Sequence, residues 1–263
     1  MRGAILDLCI EGRGKVTVEI LVEQQRLLEE VSATYRRDSE QDNRMRELCI
    51  RTMRPWMSKT DSVLEVGCSD GFMTEMLSGM AETVDVVEAS ARFAELARHR
   101  GLPNVSVHHG MVESYVPHRR FDKIALSWVL THVLDASQLL QTLRGWLSER
   151  GLMFVVVPNA RVLSRQLALH MGLVDDLYQL TENDRKHGHK RVYDRVTLRR
   201  QLEGAGFDVV SECGLMLKPL ADFQMDQLYE RGVLVEEHIE GLFRLGLEYP
   251  DLASAIFCVC RAK

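Results

Sequence analysis

The run Val63-Leu64-Glu65-Val66-Gly67-Cys68-Ser69-Asp70-Gly71 constrains this chain more than any other stretch. Its apolar, β-branched start behind Asp61 and Ser62 reads as a short buried strand, and two glycines within five residues then force a tight turn before the next periodic segment. Glycines let backbone N–H groups approach a ligand that a Cβ would hold away, and the following helix points its positive end at the same spot. Such a loop either binds a nucleotide-like ligand or merely joins a strand to a helix.

The rest of the chain repeats the alternation. Two helical patterns, 18–31 and 45–56, precede the first strand; the polar stretch 35–40 between them is a surface loop or a cover over the ligand cleft. Strand patterns at 83–88, 104–109, 121–127 and 152–157 alternate with helical patterns at 72–77, 91–100 and 136–148. Crossovers of this length predict a mostly parallel sheet covered on both faces. Beyond Pro158 comes an insertion, about 159–194, with a helical piece at 162–171 and a long polar stretch read as a lid. A helix at 196–205, capped by Asp194 and Gly206, leads to a strand at 207–211; a second, acidic insertion spans about 214–251, and the last strand is 254–260. The expected architecture is α/β: a Rossmann-like doubly wound sheet of about seven strands with an antiparallel last strand, an N-terminal helical cap (1–60) and a domain at 61–263 whose insertions cover the site. Residues 1–15 show no period and read as a loose terminus.

Composition narrows the partners. A net charge of −5 with 27% charged residues gives no general attraction to nucleic acid or an anionic membrane. Six scattered cysteines without a paired spacing suit a reducing compartment, and no apolar run approaches a membrane span. The expectation is a cytoplasmic protein, monomer or homodimer, acting on a small molecule.

Glu88 ends the second strand at the offset where an acid of such folds accepts hydrogen bonds from ribose hydroxyls. A dinucleotide fingerprint requires G-x-G-x-x-G, which Gly67 to Gly71 does not provide, and the acids Glu65 and Asp70 are poor neighbours for a pyrophosphate. They suit a cation, and S-adenosylmethionine carries a sulfonium and an ammonium group.

With Glu65, Gly67 and Gly71 matching (D/E)-x-G-x-G-x-G, and Ser69 at the middle glycine, the run resembles motif I of the class I S-adenosylmethionine-dependent methyltransferases. Segments 85–90, 108–114, 121–135 and 143–159 resemble, in order, the later motifs of the ubiquinone-biosynthesis-like small-molecule branch. The resemblance implies S-adenosylmethionine as cofactor. It places Glu65, Gly67, Cys68, Ser69 and Gly71 around its methionine end, Glu88 and Ala89 at the ribose, Met111 and Val112 about the adenine with the ring's amino group left to backbone, and Ser127 and Trp128 at the end of the fourth strand. No metal is expected.

Methyl transfer requires positioning of the acceptor and, where needed, removal of its proton. His132 stands where cofactor and substrate would meet, as a base or as a pocket-lining histidine at a helix start. The second candidate is the cluster from His187 to Tyr193. Residues 184–200 carry a net charge of +5 in a chain of net −5, which reads as a solvated basic face or as an anion site. On the second reading His187 or His189 takes the proton, Arg191 clamps a carboxylate or phosphate, and Tyr193 and Tyr35 line the acceptor pocket. Methylation of an oxygen on a polar or anionic metabolite or sugar therefore ranks first and N-methylation of a small molecule or peptide second. An NAD-dependent oxidoreductase and a non-catalytic cofactor-binding protein are the rivals of other classes.

Overall fold

The strand expected ahead of the glycine loop is β1 (Ser62–Val66), buried throughout after Ser62. In this computed structural model, residues 17–35 and 38–263 are described; the stretch 1–15 lies outside them. Complete burial of a strand requires cover on both faces, and side-chain alternation divides the interior into two cores. Val63 joins one with Val84, Phe154 and Phe257, whereas Leu64 and Val66 join the other with Ile124, Leu140 and Phe207.

β2 (Thr83–Glu88), β3 (Val105–His109), β4 (Phe121–Ser127), β5 (Leu147–Pro158), β6 (Phe207–Leu215) and β7 (Ala255–Ala262) complete a sheet of order β3-β2-β1-β4-β5-β7-β6. From β3 to β5 the pairs are parallel, and β7 runs antiparallel to both of its neighbours. This is the doubly wound sheet with a reversed last strand that the sequence pattern predicts. The order turns back between β1 and β4, which opens a crevice above their carboxyl ends.

The helices are α1 (Val18–Thr34), α2 (Glu40–Met53), α3 (Phe72–Ser78), α4 (Ala91–His99), α5 (Ala136–Trp146), α6 (Leu163–His170), α7 (Glu182–Lys186), α8 (Arg195–Gly204), α9 (Asp222–Glu230) and α10 (Glu236–Glu248). α8 starts where Asp194 and Thr197 cap each other's backbone N–H groups, as expected, and Gly206 follows its end at φ +87°. α2 buries Met45, Leu48, Cys49, Ile50 and Met53 in the first core, so this N-terminal helix shares the interior of the sheet. Several boundaries differ from the expectations; α2 already starts at Glu40 and β5 at Leu147. α5 stops at Trp146 because Leu147 is already paired with Phe121 and buried, and β6 continues past a bulge at 209–211 to Leu215. Among the described residues no helix is long and apolar enough to cross a membrane.

Leu140 has no exposed surface and sits in the second core, whereas Val210, at the β6 bulge, is 39% exposed. Leu140→Ala should cost about 2–5 kcal/mol in denaturant unfolding and Val210→Ala under about 0.5 kcal/mol.

Candidate active site

β1 carries Glu65 into the crevice with 3% of its surface exposed, and Thr74 Oγ1 donates to its Oε2 at 2.5 Å. Burial pushes the carboxyl up to about 8, against the Thr74 bond. The loop beyond β1 is wound onto Glu88. Its Oε2 accepts from the N–H groups of Cys68 (2.9 Å) and Ser69 (3.1 Å), and its Oε1 from Ser90 N–H (2.9 Å). Gly67 N–H donates to Val87 O at 2.8 Å and Phe72 N–H to Asp70 Oδ1 at 3.2 Å. These donors face protein oxygens, not an anion cradle.

The loop glycines serve backbone handedness and packing. Gly67 has φ +72°, and a Cβ there would stand 2.6 Å from Val129 Cγ2; Gly71 has φ +76°, and a Cβ there would reach Ala97 Cα at 3.0 Å. The absence of a Cβ thus also admits the β4 loop at Gly67 and α4 at Gly71. Asp70 is likewise taken up inside the protein, by Arg46 at 2.9 Å.

Above the loop lies a cavity of about 930 Å³. Ten of the eleven expected cofactor residues line it, namely Glu65, Gly67, Cys68, Ser69, Glu88, Ala89, Met111, Val112, Ser127 and Trp128; Gly71 stands behind them at the start of α3. Ser69 and Trp128 hold left-handed backbone at φ +50° and +60°, a strain that non-glycine residues keep only where the surroundings impose it. α1 forms a wall: Gln24 Nε2 donates to His132 O and Gln25 Nε2 to Ala89 O, both at 3.0 Å, while the Glu29 carboxylate accepts from Ala91 N–H at 2.7 Å. Tyr35 and Ser39 also line the cavity, so the described part of the 35–40 stretch is a cover. Burial raises the Tyr35 hydroxyl, and Asp42 beside it adds to that shift.

The lid brings the candidate histidines together. The ring centres of His132 and His189 are 4.8 Å apart and those of His187 and His189 6.5 Å apart, and all three residues line the cavity. Burial pushes His132 down to about 3, and His189 beside it lowers it further. His189 Nδ1 lies 3.2 Å from Asp184 Oδ1 and His187 Nδ1 2.8 Å from Asn183 O. Arg191 is not in the wall. Its guanidinium donates to the carbonyls of Leu130, Val133 and Leu134 at 2.6–2.9 Å and so ties the lid to the loop after β4. Tyr193 is also outside the cavity wall, packed in the second core, and burial pushes its hydroxyl up to about 12. None of the seven Lys and Arg of residues 184–200 lines the cavity, so the anion site expected there is corrected: Arg195 and Arg199 pair instead with Glu212. Among the described residues no group of three His, Cys, Asp or Glu is arranged to hold a metal ion.

A family model described as "Methyltransferase domain" matches residues 35–212. The chain belongs to this methyltransferase family. Curated relatives named "Ubiquinone biosynthesis O-methyltransferase" include one from Sinorhizobium fredii, 26% identical over 164 residues (61% of this chain, 65% of the relative), and one from Chelativorans sp., 28% identical over 165 residues (61% and 64%). The match thus spans slightly under two thirds of those relatives' length. Among solved structures, a DhpI–SAH complex superposes with a TM-score of 0.57 at 16% identity, covering 92% of this chain and 94% of that one. Coclaurine N-methyltransferase bound to N-methylheliamine and SAH gives 0.58 at 16% identity, covering 91% and 80%. The resemblance drawn from the loop and the later segments is borne out for family and fold.

In the methyltransferase domain the cavity fits S-adenosylmethionine on its own polar atoms. Glu65 and Glu88 supply buried carboxyl groups for a cationic, hydroxyl-bearing ligand, and Ser69 Oγ and Glu113 Oε2 are buried without a partner in the structure. Glu113 lines the cavity beside Met111 and Val112, and sequence reasoning passed over it. The available signal was an acid two positions after Met111. α1 was missed as a wall because its partners lie 62 to 108 residues away.

A Glu65 carboxyl near 8 in the folded protein means that, between the ordinary carboxylate range and about 8, the fold holds a proton that the unfolded chain has lost. Its contribution to stability is full below that window and falls as pH rises through it. Glu65→Gln should flatten this part of the Tm-against-pH curve, measured by thermal melts from about pH 5 to about pH 9.

Proposed function

We propose that the protein transfers the methyl group of S-adenosylmethionine to a small-molecule acceptor, with a hydroxyl oxygen as the first choice of acceptor atom. The observation that carries the cofactor reading is the loop wound onto Glu88. Its N–H groups are spent on protein oxygens, so a pyrophosphate would meet the buried carboxyl oxygens of Glu88 where it needs donors. That disfavours the nicotinamide-dependent oxidoreductase. Glu65 and the loop would hold the methionine end, Glu88 the ribose, and Met111 and Val112 the adenine, with the Glu113 carboxylate available to its amino group. When bound, the cofactor supplies an electrophilic methyl group on a sulfonium that leaves as a neutral thioether.

The acceptor half of the cavity supports a neutral or amine-bearing molecule over an anion. Asp42, Asp222 and Asp226 line it, with Arg46 turned to Asp70 and Lys218 bonded to Asp222. Oxygen ranks first because three histidines face the cavity, two of them with Nδ1 engaged by protein oxygens, and because the curated relatives carry O-methyltransferase names. The carboxylates favour N-methylation as the second reading.

Thermal shift separates the classes. S-adenosylmethionine or S-adenosylhomocysteine at about 100-fold its Kd should stabilise the protein by about 2.7 kcal/mol, and Glu88→Ala should abolish the shift. Stabilisation by NADH alone would reverse the assignment. Transfer of labelled methyl into a small-molecule acceptor separates an enzyme from a non-catalytic binder.

A further inference from the structure

The lid contains a carboxylate–histidine arrangement that the sequence motifs do not reveal. Asp184 Oδ2 accepts from Thr181 N–H (2.9 Å), Thr181 Oγ1 (2.8 Å) and Arg165 (3.3 Å), while Oδ1 faces His189 Nδ1 at 3.2 Å. His189 N–H also donates to Asp184 O at 2.9 Å, so backbone and ring are both referred to this one residue. An ionised carboxylate only accepts hydrogen bonds, and the neutral imidazole facing it therefore carries its proton on Nδ1 and leaves Nε2 as an acceptor. Both residues line the cavity.

We infer that Asp184 and His189 form the proton-accepting dyad of the methyl-transfer reaction, His189 as the general base and Asp184 as its positioning residue. The inference rests on the transferase reading above. A base becomes a cation as it takes the proton, and only a site that stabilises that cation can act. His189 has the Asp184 carboxylate for this, held from behind by Arg165 and the α7 cap. His132 has an unpartnered Nδ1 and no carboxylate bonded to it, and burial disfavours its charged form. His187 spends Nδ1 on a backbone carbonyl, which orients the ring without a countercharge. The charged and titratable groups around His189 are Asp184 and Arg165, His132 on the loop after β4, and His187 and Lys190 on the lid. When the acceptor oxygen bonds to the methyl carbon, its O–H bond breaks and that electron pair stays on oxygen. The proton passes to His189 Nε2, and the pair of the broken S–CH₃ bond remains on sulfur. The imidazolium then returns its proton to solvent.

Two readouts test this. In ¹⁵N-histidine NMR spectra of the cofactor-free protein, neutral His189 should carry its proton on Nδ1 and lose that preference in Asp184→Ala; a proton on Nε2 in the wild type overturns the dyad with no acceptor needed. The second readout uses methyl-labelled S-adenosylmethionine and a panel of catechols, alcohols and amines. Asp184→Asn and His189→Gln should each lower turnover at least about 100-fold, the double variant should lose little more, and all should bind S-adenosylhomocysteine as the wild type does. His189→Gln leaves the α7 cap intact and so guards against a lid that fails to fold. Wild-type turnover with variants within about 3-fold of it overturns the dyad and leaves the transferase reading standing. A wild type that binds no S-adenosylhomocysteine overturns both.

Discussion

The Glu88 carboxylate is the interaction on which the site depends. Buried at 6% exposure, it takes two N–H groups from the loop after β1 and one from the start of α4. A carboxylate removed from water is costly unless its lone pairs are satisfied, and three backbone donors meet that cost. The same bonds give the loop its shape. They draw Cys68 and Ser69 across the carboxyl end of β2, hold Ser69 in a left-handed backbone, and leave the cavity floor rich in acceptors.

That floor determines the ligand chemistry. A Gly-rich turn at the start of a helix is ordinarily an anion site because its donors point outward. Here they point to Glu88, and Glu65 lies buried alongside. The helix N-terminus is still present, since α3 begins at Gly71, but Phe72 N–H is bonded to Asp70. A strand, loop and helix of one topology can thus favour a phosphate or a cation, according to whether a strand-end acid is turned into the loop.

The lid and α8 use part of their charge internally, while Arg185, Lys186, Lys190 and Arg200 are exposed. Residues 184–200 are strongly basic, yet Arg195 and Arg199 tie β6 through Glu212, and Arg191 ties the loop after β4 through its carbonyls. What reaches the cavity from here is Asn183, Asp184, His187 and His189, and no lysine or arginine of the run. A local excess of charge records only that cations are close in sequence. It does not say which way they point, and guanidinium groups readily find carbonyl partners within the protein.

The sequence by itself determined the α/β architecture, the reversed last strand, the cap at Asp194, and the set of residues around the glycine loop, Glu88 and Met111. All of these are written in local periodicity, turn chemistry and strand-end position, which depend on neighbours a few residues away. Only the tertiary structure decided that α1 walls the cavity, that Arg191 serves carbonyls and not an acceptor, that Glu113 faces the cavity, and that Asp184 lies against His189 beside His132. Those facts depend on side-chain direction and on contacts between residues up to 108 positions apart, as between Gln24 and His132, and such contacts leave no period for the sequence to display.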